Sequence, residues 1–157
     1  KFPGLDAHFL LSEELFPVCS PKLLRGPHPL KTPADLKHHT LLHNDWSTRI
    51  GSWPNWQDWL TAAGARGVDA KSGLHFNDSL VVLEAALSGQ GVFMGNTTAV
   101  QDLIAAKKLV APFPLRLKSD LGYYFVCPEH AARRREIIVL RDWLKNEAAA
   151  DRNRESP

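Results

Sequence analysis

The stretch that most constrains this chain runs from residue 76 to residue 95 and reads FNDSLVVLEAALSGQGVFMG. Leu80, Leu83, Ala86 and Leu87 recur within it at helical spacing. Apolar residues three and four positions apart lie on one side of a helix. The pattern therefore predicts an amphipathic helix whose apolar face carries these four residues.

Signals at both ends delimit this helix. Asp78 precedes the apolar run, and its carboxylate suits the N-cap position, where it accepts a hydrogen bond from a first-turn N–H. Gly89 stands where a left-handed residue commonly ends a helix. Residues 91–94 form a short apolar run that is typical of a buried strand. A strand, a helix and a strand in this order predict one βαβ unit with a parallel sheet.

Short polar residues follow the two predicted strands of this unit. Asn77, Asp78 and Ser79 follow the first strand, and Asn96 and Thr97 follow the second. Ligands of open α/β sheets bind beyond the carboxyl ends of the strands, and helix N-termini attract anions. These residues therefore predict a site for a carboxylate or a similar anion. The alternative is that each of them only caps a helix, and the residues alone leave both interpretations open.

The remaining chain reads as alternating short elements. We expect strands at residues 7–12, 14–19, 40–43, 71–76, 109–113 and 121–127, and helical segments at residues 21–24, 33–37, 53–63, 99–106 and 131–149. The expected helix at 53–63 carries an aromatic stripe, which we interpret as core rather than as a ligand site: Trp53, Trp56, Trp59 and Leu60. The last helix carries an expected apolar face: Ile137, Val139, Leu140, Trp143 and Leu144. Residues 151–157 are expected to be a tail.

The charge distribution and the cysteine content restrict the classes of function that this chain could have. The chain has 19 basic and 17 acidic residues, and the basic excess falls in residues 130–157. A nucleic-acid surface normally needs basic residues clustered on one face, and the sequence does not show such a cluster. Cys19 and Cys127 are far apart and stand at no metal spacing, so we expect buried thiols in a reducing compartment. No cofactor and no metal site are predicted.

Other function classes find little support in the sequence. No apolar run reaches the length that spans a membrane, and a cytoplasmic location is the default expectation. Seven histidines are present, but neither an HExxH motif nor a GxSxG motif accompanies them. An enzyme is therefore not predicted.

Several segments together resemble one known family. They are EELFPVCSPKLL at 13–24, TPADLKHHTLLH at 32–43, WQDWLTAAG at 56–64, LEAALSGQGVFMG at 83–95, KKLVAPF at 107–113, YYFVCPE at 123–129 and LRDWLKNE at 140–147. In this order they resemble the effector domain of LysR-type transcriptional regulators. The branch of the glycine-cleavage activator and the β-lactamase regulators is the most similar.

This resemblance implies a fold and a function. The fold is α/β and periplasmic-binding-protein-like (type II), with two lobes around a cleft. Residues 1–30 and 123–150 would form the first lobe, incomplete at its N-terminus, and residues 35–120 the second. The domain would sense a small molecule and control DNA binding by a winged helix-turn-helix that this chain lacks. The alternative is a fragment of a solute-binding protein that serves a transport system.

The resemblance also implies site residues and partners. Asn77, Asp78 and Ser79 match a turn that contacts ligand in the family, and Tyr123 matches a position whose hydroxyl faces the cleft. The alternative for Tyr123 is a strand aromatic packed in the core. Further implied ligand-binding residues are His43 and Asn44, with Asn96 and Thr97 as weaker candidates. The implied effector is a small anion such as an amino acid or a peptide-like metabolite. Family members form homodimers and often tetramers, and they contact DNA only through the N-terminal domain and no membrane.

Overall fold

The computed structural model describes residues 3–45 and 53–154. Its strands are β1 (Leu5–Cys19), β2 (Leu41–Asn44), β3 (Leu74–Phe76), β4 (Val92–Asn96) and β5 (Leu117–Pro128). Its α-helices are α1 (Trp56–Ala62), α2 (Ser79–Leu87), α3 (Thr97–Ala105) and α4 (Arg135–Arg154). Short 3-10 helices span Pro21–Leu24, Pro33–His38 and Glu129–Ala131.

The strands form one sheet in the order β3-β2-β4-β1-β5. β2 runs parallel to both β3 and β4, and Leu42 pairs with Leu74 on one side and with Phe93 on the other. β1 runs antiparallel to β4. The mixed α/β fold and the predicted parallel βαβ unit, β3-α2-β4, are confirmed, with β2 inserted between the two strands of that unit. Parallel pairing places the carboxyl ends of β2, β3 and β4 at the same edge of the sheet.

The chain groups into two compact units. The end unit consists of residues 1–12 and 121–157, and the middle unit consists of residues 13–120. Both boundaries between the units fall inside strands, one in β1 and one in β5. The expected division of the family's lobes, with residues 1–30 in the first, stays a prediction.

Two apolar clusters cover the two faces of the sheet in the middle unit. Side chains that alternate along a strand point to opposite faces, and Leu15 and Phe16 of β1 accordingly belong to different clusters. One cluster contains Trp56, Trp59 and Leu60 of α1, all buried. The interpretation of the aromatic stripe as core is confirmed for these three residues, whereas Trp53 precedes the helix and is only partly buried. The other cluster contains residues of α2 and α3.

The predicted buried face of α2 was wrong in part. Val82, Ala85 and Ala86 are the buried residues of this helix, whereas Leu80 is 73% exposed. Seven of the eight residues from 80 to 87 are apolar, so the spacing of apolar residues does not single out one face. The small side chains of Ala85 and Ala86 allow the helix to approach the sheet closely. Packing against the sheet, rather than the spacing of apolar residues, therefore determines which face of α2 is buried.

Other boundaries differ from expectation for local reasons. β1 is one continuous strand where two runs were expected. The expected strand at 109–113 is reduced to one bridge between Cys19 and Val110. Pro112 lies within this segment and Pro114 follows it, and proline has no N–H to donate to a strand ladder.

The last helix also differs from expectation. The α-helix begins at Arg135 and continues to Arg154, so residues 151–154 are helical, and residues 155–157 lie outside the described part. The side chains of Val139, Leu140 and Trp143, expected to face a core, are exposed in this structure. No helix in the described ranges is both long enough and apolar enough to cross a bilayer.

Candidate functional site

The candidate site lies at the edge of the sheet where β2, β3 and β4 end. We call this group of residues the polar edge: Asn44, Asn77, Asp78, Ser79, Asn96 and Thr97. Asn44 is the last residue of β2, and Ser79 is the first residue of α2. The side-chain amide of Asn44 donates a hydrogen bond to Ser79 Oγ over 2.8 Å. The structure thus brings together two predicted residues that lie 35 positions apart in sequence.

Ser79 has the chemistry of an anion-binding residue. It is exposed, and the hydrogen bond given above uses its oxygen as the acceptor. A serine hydroxyl carries one donor and two acceptor lone pairs. The bond from Asn44 therefore leaves the O–H of Ser79 able to donate to a ligand, and a carboxylate is a strong acceptor for such a bond.

Asp78 caps the N-terminus of α2, as the sequence predicted. Its Oδ1 accepts hydrogen bonds from the backbone N–H of Leu80 at 2.7 Å and of Val81 at 3.4 Å. These contacts occupy two of the first-turn donors of the helix. These two N–H groups are therefore already engaged within the protein. Asn77 is exposed beside Asp78, and a role in ligand binding stays a prediction for both.

The start of α3 is occupied by a carboxylate of the protein itself. Glu13 is 1% exposed, and it accepts hydrogen bonds from Asn96 Nδ2 at 3.0 Å, from the backbone N–H of Thr98 at 3.3 Å and from the Thr98 hydroxyl. Thr97 Oγ1 donates to the carbonyl oxygen of Glu14 over 3.3 Å. Asn96 and Thr97 are thus engaged within the protein. Glu13 was not predicted as a site residue, because it lies in the polar run Ser12-Glu13-Glu14 of β1 and the sequence does not show which of the two carboxylates is buried.

Two histidines lie beside Asn44. His43 and His75 are paired in the register of β2 and β3, and their rings stack with centroids 4.2 Å apart. His43 Nε2 lies 2.9 Å from the carbonyl oxygen of Ser72, and His75 Nδ1 lies 2.9 Å from Asp45 Oδ1. The hydrogen bond with Asp45 raises the pKa of His75 above its ordinary value. His43 was predicted as a site residue, whereas His75 and Asp45 were not.

A small cavity, which we call the notch, opens beside Asn44. Its volume is about 40 Å³. Its walls are Leu15, Leu42, His43, Asn44, Trp53, Pro54, Asn55, Trp56, Phe93 and Met94. Asn55 is the N-cap of α1, and its side chain accepts from the backbone N–H groups of Gln57 and Asp58. The notch was not predicted, because its walls come from four separate segments of the chain.

Tyr123 lies on β5 in the end unit, and its side chain is 47% exposed. It is therefore not a core aromatic in the described structure. Its predicted role in ligand binding stays a prediction.

The two cysteines lie in the interior of the protein. Cys19 and Cys127 are both free and buried, as the sequence predicted for its thiols. Burial raises the pKa of the Cys19 thiol to about 12, which keeps it protonated and unreactive at neutral pH. In residues 3–45 and 53–154, no cluster of histidine, cysteine and carboxylate side chains is arranged to hold a metal ion.

Comparison with known sequences identifies relatives over almost the whole chain. Residues 1–149 match the model of the LysR substrate binding domain. The chain is 41% identical over 154 residues to the glycine cleavage system transcriptional activator of Escherichia coli K12, which covers 98% of this chain and 48% of that protein. It is 37% identical over 147 residues to the HTH-type transcriptional regulator DsdC of the same organism, which covers 91% and 46%. The chain thus spans about half the length of the curated relatives it matches.

Solved structures of the same family share the fold. The effector domain of the transcriptional regulator AmpR of Pseudomonas aeruginosa is similar, with a TM-score of 0.71 and 26% identity. This match covers 98% of the present chain and 71% of that one. The effector domains of this family have a periplasmic-binding-protein-like type II fold. The chain therefore belongs to the LysR substrate-binding-domain family, the effector-binding domains of LysR-type transcriptional regulators.

Proposed function

We propose that this chain is the sensor of a transcriptional regulator and that the polar edge binds the acidic group of a small effector. The observation that carries this proposal is the hydrogen bond from Asn44 to Ser79, which orients a serine hydroxyl at a helix start. Asp78 supports the arrangement by fixing the first turn of α2. A helix start with an available hydroxyl is a favourable environment for one carboxylate.

The proposed effector is a small anion such as an amino acid or a peptide-like metabolite. The relatives include the activator named for the glycine cleavage system, which supports an effector of amino-acid size.

Effector binding would act through a pre-existing equilibrium between conformations. A ligand shifts such an equilibrium only by the difference between its affinities for the two states. The DNA-reading helix-turn-helix would lie elsewhere in the full protein, which would act in the cytoplasm as a homodimer or a larger oligomer. The relatives are transcriptional regulators rather than enzymes, and we propose no catalysis for this chain.

Isothermal titration calorimetry of this chain with glycine, alanine, serine and glutamate tests the proposal. We expect binding of at least one monocarboxylate amino acid, and we expect Ser79→Ala to weaken it roughly 10-fold or more through loss of a charge-assisted hydrogen bond. Ser88→Ala is the matched control, since Ser88 is exposed at the opposite end of the same helix. Absence of binding by every probe, or equal losses in the two variants, would contradict the proposal.

A further inference from the structure

The end unit contains a group of titratable side chains that links β1 to α4. We call it the end-unit network: Asp6, His8 and Lys145. Asp6 and His8 lie on β1, and Lys145 lies on α4, 137 positions from His8. His8 Nε2 lies 3.0 Å from Asp6 Oδ2, and Lys145 Nζ lies 3.4 Å from His8 Nδ1. All three residues belong to the end unit, so the network is separate from the polar edge.

The partners of His8 determine which of its ring nitrogens carries the proton. A lysine ammonium has three donors and no acceptor, so Lys145 bonds to Nδ1 only while that nitrogen is unprotonated. A carboxylate accepts, so Asp6 takes the hydrogen bond that the N–H of Nε2 donates. These contacts therefore describe a neutral His8 with its proton on Nε2, held between a cation and an anion.

A second proton on His8 would act differently on its two contacts. Histidine is the side chain whose charge ordinarily changes between pH 5 and 8. A proton on Nδ1 would face the ammonium of Lys145, and two like charges at this distance repel each other. The contact with Asp6 would instead become an ion pair across 3.0 Å. Acid would thus break the link between β1 and α4 and keep the link within β1.

β5 and α4 both contribute neighbours to His8. The ring of Phe125 on β5 is uncharged, and its centroid lies 6.4 Å from that of His8. On α4, the charged residues one turn before Lys145 are Arg141 and Asp142, which bond to each other over 2.8 Å. Among the described contacts, Asp6 thus supplies the carboxylate next to His8, and Lys145 supplies the cation.

α4 packs on the end unit through few buried side chains. In residues 135–150, Ala148 is buried, whereas Val139, Leu140 and Trp143 are exposed. Elements with few buried apolar contacts open locally at a lower free energy than the whole protein unfolds. A single polar contact therefore makes up a larger share of the attachment of this helix than it would in a well-buried one.

We propose that His8 is a pH-sensitive latch that holds α4 against β1. While His8 is neutral, Lys145 donates to it and the helix stays in place. When His8 binds a second proton, this contact is lost and α4 opens more often, while β1 keeps the pair of Asp6 and His8. The latch lies in the end unit and does not depend on the anion site proposed at Ser79.

Hydrogen exchange of the α4 amides at about pH 5 and about pH 8 tests the latch, because these values bracket the range in which histidine ordinarily titrates. Each rate is divided by the intrinsic exchange rate at that pH. We expect the opening of residues 135–150, followed by mass spectrometry, to be about 3-fold or more greater at the lower pH, as for the loss of one partly exposed charged contact. Residues 79–87 of α2, in the middle unit, are the internal reference. No change in α4, or an equal change in both helices, would overturn the proposal.

Three variants assign the change to the end-unit network. His8→Gln is expected to remove the pH dependence, because glutamine does not titrate. Lys145→Met removes the ammonium and keeps a long apolar chain, so α4 should open at about pH 8 as often as the unaltered helix does at about pH 5. His130→Gln is the matched control, since His130 is exposed in the same unit, and it should keep the pH dependence.

A pH dependence that persists in His8→Gln would exclude the latch. If His8→Gln fails to fold, Lys145→Met decides in its place, because greater opening on acidification in that variant would equally exclude the contact with His8. If both fail to fold, the exchange of α4 relative to α2 in the unaltered chain decides.

Discussion

The rings of His43 and His75 stack almost in parallel between two neighbouring strands, with their planes 6° apart. Asp45 Oδ1 lies 2.9 Å from Nδ1 of His75, and this hydrogen bond raises the pKa of that histidine. A group whose pKa is raised by folding stabilises the folded state below its unfolded pKa. This contribution disappears as the pH rises through the folded pKa.

The first prediction concerns the pH dependence of stability. The His75–Asp45 contribution is fully present below the ordinary histidine pKa of 6.5 and is lost as the pH rises from there through the raised pKa. Asp45→Asn is therefore expected to flatten the decline in the free energy of unfolding across this window. Urea denaturation at several pH values measures it, with His130→Gln as the control. A decline of unchanged slope in Asp45→Asn would contradict the prediction.

The second prediction concerns the buried carboxylate at the start of α3. Glu13→Ala removes the acceptor of Asn96 Nδ2 and of two donors of Thr98, and buried donors without partners are costly. The expected loss is about 3 kcal/mol in the free energy of unfolding.

Glu14→Ala is the matched control for Glu13→Ala. The carboxylate of Glu14 is partly exposed and lies 3.9 Å from Arg116, so its loss is expected to change stability by about 0.5 kcal/mol or less. Chemical denaturation of both variants checks the pair. Similar losses in the two variants would show that the network around Glu13 is not what stabilises this helix start.

The third prediction concerns the attachment of β3 to β2. Gly73 has a φ of +129°, and a Cβ built on it would lie 2.0 Å from the carbonyl oxygen of Leu41. Because a backbone atom cannot move aside, Gly73→Ala is expected to cost about 3 kcal/mol through overpacking and backbone strain. It should also weaken effector binding, since β3 leads directly into Ser79.

Gly26→Ala provides the control for Gly73→Ala, because nothing lies within 4 Å of the added methyl group there. It is expected to change stability by about 0.5 kcal/mol or less. Thermal denaturation compares the two variants. A Gly73→Ala variant as stable as Gly26→Ala would contradict the close approach of the two backbones.

The fourth prediction separates the structural and electrostatic roles of Asp78. Asp78→Ala removes the N-cap of α2 and is expected to cost about 1 kcal/mol, whereas asparagine caps almost as well as aspartate. Asp78→Asn should therefore keep the stability and, by removing a negative charge beside Ser79, raise the affinity for an anionic effector. Denaturation and calorimetry on the two variants check this. A lower affinity in Asp78→Asn would place the acidic group of the ligand away from this turn.

Local signals in the sequence predicted much of the middle unit. The N-cap at Asp78, the glycine at position 89, whose φ is +82°, and the aromatic stripe of α1 all occur as expected. Each of these features depends on neighbours within a few residues. The parallel direction of β3 and β4 followed from the order of strands and helices, whereas the position of β2 between them did not.

The features that sequence reasoning missed depend on distant contacts. Glu13 lies 83 positions from Asn96, and no local pattern links a charge in β1 to the start of α3. The stacking of His43 on His75 follows from the register of two strands, which the sequence did not specify. The buried face of α2 could not be found because apolar residues occur on all its sides. Tertiary packing, rather than periodicity, decides such a face.

Residues 13–120 interrupt the sequence of the end unit, which has a consequence for synthesis on the ribosome. The middle unit is continuous, so it can fold before residues 121–157 are translated, since domains generally fold as units during synthesis. The end unit needs β5 and α4, so it forms only after residues 121–154 have been made. The part of β1 that belongs to the end unit is synthesised before the middle unit and is without β5 until the middle unit has been synthesised.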